Sequence, residues 1–100
     1  MKLLISPGYN AGWSTWNCPE MATDKKLIEF FEKGCTLEEM RKFLIENNFK
    51  DGHGGHPYLG GFHDLKVEEV PKGTLFRINE YDGSEFIETF NSDDWMIAED

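Results

Sequence analysis

The sequence predicts an α+β domain: an N-terminal strand, a helical hairpin, and then an antiparallel β-meander with the helices packed on one sheet face. Three observations lead there. A short apolar run opens the chain and is stopped by Ser6-Pro7-Gly8. Apolar residues recur at helical spacing between Asp24 and Asn48. From Leu65 onward the residues read as strands, broken by Pro71-Lys72-Gly73 and by Asp82-Gly83. With 100 residues the chain has room for one domain, 1–100, and one core.

Each element has a local reason. Lys2–Ser6 reads as a strand, because Leu3, Leu4 and Ile5 are too continuous to sit on an exposed edge. Tyr9 to Glu20 shows neither a helical nor a strand period and reads as a loop. Thr23 or Asp24 caps a first helix to about Lys33, with Leu27, Ile28 and Phe31 on its apolar face and Gly34 as its stop. Thr36-Leu37-Glu38-Glu39 is a capping box that starts a second helix. Leu37, Met40, Phe43 and Leu44 continue it to Asn47 or Asn48. The short link between them predicts an αα-hairpin.

Phe49 to Phe62 is a second loop, loosened by glycines. Leu65–Val70, Thr74–Tyr81 and Ser84–Phe90 follow as strands. Asp82-Gly83 is the preferred dipeptide of a type I′ turn, and such a turn sets the register. It places Ile78 opposite Ile87, Arg77 opposite Glu88, Asn79 opposite Phe86 and Leu75 opposite Phe90. It also sets Glu80 against Glu85, two like charges that should repel. Asp94–Ala98 is expected to add a last short strand.

The net charge of −9 argues against direct binding to nucleic acid or to an anionic membrane, since both need a basic footprint. It suits an acidic surface that competes with nucleic acid for a basic partner. Cys18 and Cys35 form no C-x-x-C pair and read as reduced thiols. The apolar N-terminal run is too short for a signal peptide, and no stretch approaches the ~18 apolar residues of a membrane span. A cytoplasmic protein is expected.

Two loops hold the chemistry. In Pro7–Asn17, Gly8 and Gly12 allow close backbone approach, Ser14, Thr15 and Asn17 offer hydrogen bonds, and Tyr9, Trp13 and Trp16 offer flat faces for a base. The same indoles serve equally well as core or as pins for the loop. In the second loop and just after it, His53, His56 and His63 suggest weak candidates for a metal site, yet their spacing matches no metal motif. No P-loop is present, and Gly12-Trp13-Ser14-Thr15-Trp16 lacks the second glycine of a nucleophile elbow. No catalytic residues and no cofactor are expected. The acids Glu29, Glu32, Glu38, Glu39 and Glu46 alternate along the helices with Lys25, Lys26, Lys33, Arg41 and Lys42, as on a solvated face.

Ile5-Ser6-Pro7-Gly8 through Ala11-Gly12-Trp13-Ser14-Thr15-Trp16-Asn17 forms one familiar stretch. Tyr58-x-Gly60-Gly61-Phe62, Val70-Pro71-Lys72-Gly73-Thr74-x-Phe76 and Glu80-Tyr81-Asp82-Gly83-Ser84-Glu85 form another. Together they resemble a family of small proteins encoded by bacteriophages and prophages. The resemblance implies an inhibitor of bacterial defence, acting in the host cytoplasm. Such proteins either sequester a nucleotide immune signal or act as DNA mimics on a basic host protein such as a CRISPR effector. The expectation adopted is a non-enzymatic binding protein whose two loops form a pocket for a small nucleotide-like ligand. Tyr9, Trp13, Trp16, Tyr58 and Phe62 would stack, and Ser14, Thr15, Asn17 and Lys72 would hydrogen-bond or meet phosphate. The loops are expected to join across a homo-oligomer interface, because one small domain offers little concavity. The remaining alternative is a metal-dependent hydrolase using the three histidines.

Overall fold

The structure is a computed structural model that describes residues 1–8 and 11–90. The strand expected at Asp94–Ala98 lies outside the described residues. The described elements run β1 (Lys2–Ile5), α1 (Glu20–Thr23), α2 (Lys25–Glu32), α3 (Leu37–Glu46), a 3₁₀ turn (Phe62–Asp64), β2 (Lys66–Glu69), β3 (Phe76–Tyr81) and β4 (Ser84–Thr89). The chain is therefore α+β, with an N-terminal strand, a helical hairpin and antiparallel strands.

Two of the helices stop and start where their capping chemistry dictates. Asp24 caps α2 by accepting the Leu27 N–H at 2.8 Å, and Gly34 beyond its end sits at φ +87°. The α3 box is complete, since Thr36 Oγ1 accepts the Glu39 N–H and Glu39 accepts the Thr36 N–H. Asn48, at φ 62°, ends α3 in a Schellman turn: the Phe49 N–H reaches the Leu44 carbonyl at 2.9 Å, and the two side chains meet in the core. Phe30 of α2 and Phe43 of α3 stack with ring centroids 4.5 Å apart, closing the αα-hairpin. The four-residue α1 is separated from α2 by the extended Asp24, and the sequence does not foretell it because one turn carries no period.

Replacing Thr36 with Ala is expected to lower stability by about 1 kcal/mol, the usual cost of a lost N-cap, measured by urea unfolding at neutral pH. Hydrogen bonds from the Thr36 N–H and then from its hydroxyl hold the Glu39 carboxyl below the usual carboxylate range. A depressed folded pKa means that the contribution of Glu39 is present at neutral pH and fades as pH falls through that lowered value.

The strands divide between two two-stranded sheets. β2 pairs antiparallel with β1, setting Lys2 opposite Glu69 and Leu4 opposite Val67. The Met1 and Val70 backbones extend this ladder with bonds of 2.8 and 2.9 Å. The Pro71-Lys72-Gly73-Thr74 turn forms as expected, closed by the Thr74 N–H on the Pro71 carbonyl at 3.1 Å, with Gly73 at φ +86°. It leads out of one sheet and into the other. β3 and β4 pair in the register expected, with Ile78 on Ile87 and Arg77 on Glu88, around Asp82 (φ 49°) and Gly83 (φ +85°) of a type I′ turn.

The core lies between β1 and the helices. Leu4, Trp13, Met21, Leu27, Ile28, Met40, Leu44, Phe49 and Leu59 form its buried cluster. Leu3, Leu4 and Ile5 are all buried, so β1 is covered on both faces, as its unbroken apolar run implies. No hydrophobic side chain of β3 or β4 belongs to the cluster or to the apolar side chains packed against it. The hairpin is held by other means.

Candidate functional site: where the two glycine-rich loops meet

The polypeptide after β1 and the loop after α3 are joined by hydrogen bonds and by close backbone approach. Buried Asn17 donates from Nδ2 to the carbonyls of Trp13 (2.8 Å) and Tyr58 (2.9 Å), and its Oδ1 accepts the Tyr58 N–H at 2.7 Å. Ser6, also buried, donates from Oγ to the Gly61 carbonyl at 2.9 Å. A Cβ at Gly61 would stand 2.6 Å from Ser6 Oγ and 2.9 Å from the Ala11 carbonyl oxygen, so this glycine is what lets the loops touch.

The hairpin fastens to the same place through one carboxylate. Glu85 is 1% exposed. Its Oε1 accepts the Ser6 N–H at 2.9 Å. Its Oε2 accepts the N–H groups of Trp13 (2.8 Å) and Thr15 (2.9 Å) and the Thr15 hydroxyl (2.6 Å). The Glu85 N–H in turn donates to the Ser6 carbonyl at 2.9 Å, and Ser84 Oγ donates to the Pro7 carbonyl at 2.7 Å. The Glu80–Glu85 clash implied by the register is thereby resolved. Glu85 turns into a nest of donors, while Glu80 accepts the Gly83 N–H of the turn at 2.8 Å. Glu85 was not singled out in the sequence, and that like-charge pairing is the signal that pointed to it. A strand tolerates such a pair when one carboxylate has other donors to satisfy.

The two described indoles of the loop part company. Trp13 is fully buried in the core, and its Nε1 donates to the Met21 carbonyl at 2.8 Å, so it presents no face to a ligand. Trp16 is 41% exposed and stacks on the 52% exposed Tyr58 ring, with centroids 5.8 Å apart and planes 30° from parallel. Each ring lies against a glycine: a Cβ on Gly12 would run into the Trp16 indole, and one on Gly60 into the Tyr58 ring. The loop glycines thus seat an open aromatic ledge at the junction.

The other expected site residues distribute as follows. Thr15 borders the ledge but gives its hydroxyl and N–H to Glu85. Ser14 is buried and accepts the Asn17 N–H on its carbonyl at 3.3 Å. Asn17 is a brace between the loops. Phe62 packs against the core cluster, with the His63 ring edge-on at 5.4 Å. Tyr9 lies outside the described residues. Lys72 lines a groove to which neither loop contributes.

His53, His56 and His63 are each exposed, and among the described residues no three His, Cys, Asp or Glu side chains stand together to hold a metal ion. The His53–Gly55 turn is ordered by Asp51, whose Oδ1 accepts the N–H groups of His53 and Gly55 at 2.8 Å each. Those two bonds lower the Asp51 pKa. Burial raises the pKa of both Cys18 and Cys35, which disfavours the thiolate and with it nucleophilic chemistry. Of the helix acids, Glu32, Glu38 and Glu46 pair with Lys2, Arg41 and Lys42.

Among the described residues no helix is long and apolar enough to cross a membrane. Set against protein-family models, curated proteins and solved structures, the chain matches none.

Proposed function

We propose that this chain is a non-enzymatic binding protein whose Trp16–Tyr58 ledge takes the flat ring of a small nucleotide-like ligand. In this reading the protein sequesters a nucleotide immune signal in the bacterial cytoplasm and so counters a host defence against phage. The observation that supports it is the exposed, glycine-seated stack of two aromatic rings where the loops converge. Large exposed rings held in place by their own backbone are pre-organised, so a base can add to the stack without ordering the loop first. Stacking of this kind contributes about 1–3 kcal/mol per base. The Tyr58 hydroxyl supplies a polar group beside it, while Thr15 is committed to Glu85. Asn17 acts indirectly by bracing the two loops, and Trp13 and Ser14 by holding the first loop in shape.

The test is a titration of cyclic mono- and dinucleotides and of ADP-ribose, read by thermal shift and calorimetry. One of them is expected to raise the melting temperature. Replacing either Trp16 or Tyr58 with Ala should weaken that binding roughly 5- to 150-fold, the range that such stacking energies imply, while the far-UV spectrum stays unchanged. A full panel with no shift overturns the ligand reading. So does binding that survives loss of both rings.

A further inference from the structure

Away from the ledge, a groove of about 620 Å³ opens between the start of β1, α2 and the segment from Val70 to Phe76. Its volume falls in the range of small-molecule sites, roughly 300–1,000 Å³. Its floor is apolar: Ile28 and Val70 are buried and Phe76 is half-buried.

The rim carries charge of a particular balance. Lys2 is bound to both carboxylate oxygens of Glu32, at 3.0 and 2.9 Å, so those two neutralise each other. That leaves Glu29 against Lys25 and Lys72. Both lysines are exposed, and neither forms an ion pair among the described residues. The groove therefore has a cationic surplus in a chain whose net charge is −9. Exposed ammonium groups beside an apolar floor attract a molecule with an anionic head and a hydrocarbon body.

We propose that this groove is a second binding site, one for a small amphipathic carboxylate. The apolar body lies on Ile28, Val70 and Phe76, and the carboxylate sits between the ammonium groups of Lys25 and Lys72. The site shares no residue with the ledge, so either can fail without the other.

Octanoate and 1-octanol, which share a chain length and differ in charge, are the probes. Each is titrated into the ¹⁵N-labelled full chain. Octanoate is expected to shift the amides of Ile28, Val70, Thr74 and Phe76 saturably. Replacing both Lys25 and Lys72 with Gln should weaken octanoate about tenfold, as loss of a charge-assisted contact does, and leave 1-octanol unchanged. Phe76→Ala should weaken both probes. Added sodium chloride should weaken octanoate alone in the wild-type chain, a readout that needs no variant. No saturable shift with octanoate overturns the proposal, as do shifts centred on Trp16 and Tyr58. Octanoate binding that is indifferent both to salt and to loss of the two lysines also overturns it.

Discussion

Replacing Glu85 with Ala is expected to cost about 3–5 kcal/mol, a large share of the ~5–15 kcal/mol that holds such a chain folded. The substitution strips the partner from the buried N–H groups of Ser6 and Trp13 and from the partly buried N–H and hydroxyl of Thr15. Hydrogen bonds to a charged acceptor contribute about 1.5–3 kcal/mol each, and they do not add when they share one carboxylate. Glu85→Gln keeps the shape but turns an NH₂ toward donors, so about half the loss is expected. Glu80, opposite Glu85 in the ladder, is exposed and serves as the control: Glu80→Gln should stay within about 1 kcal/mol. Urea unfolding followed by far-UV dichroism decides the matter. A Glu85→Ala midpoint close to that of Glu80→Gln would show that the carboxylate is not what fastens the hairpin.

The second large effect separates two indoles three positions apart. Trp13→Ala should destabilise by about 3–5 kcal/mol, because it empties a volume at the centre of the core and orphans the Met21 carbonyl. Trp13→Phe should recover much of that loss by refilling the space. Trp16→Ala removes a ring that is 41% exposed and should cost less, about 1–2 kcal/mol. The proposed ligand test depends on this contrast, since only a variant that keeps its fold reports on binding. Equal losses from the two substitutions would contradict the placement of Trp13 inside and Trp16 outside.

Elements governed by near neighbours were legible in the residues themselves. Thr36 and Glu39 mark the start of α3, Asp24 marks that of α2, and Asp82-Gly83 sets every pair in the β3–β4 ladder. Pairing across the chain was not legible. Nothing local ties Leu4 to Val67, and the Pro71 turn suggested that β2 would fold onto β3 when it instead joins β1. The candidate site was legible in outline, because glycines beside aromatic rings mark places where backbone and rings crowd. Which indole points inward was not, since Trp13 and Trp16 share the same loop composition and differ only in tertiary surroundings. Glu85 was visible only as a contradiction, a repulsive pair demanded by an otherwise sound register.

The anchoring of β3 and β4 has a consequence for engineering. A limb that adds nothing to the oily interior, and clings to the body by Glu85 and Ser84, leaves its outward positions unconstrained by packing. Tyr81 and Phe86, exposed on the hairpin face that does not carry Glu85, could be randomised as a display surface while the globule beneath them keeps its melting point.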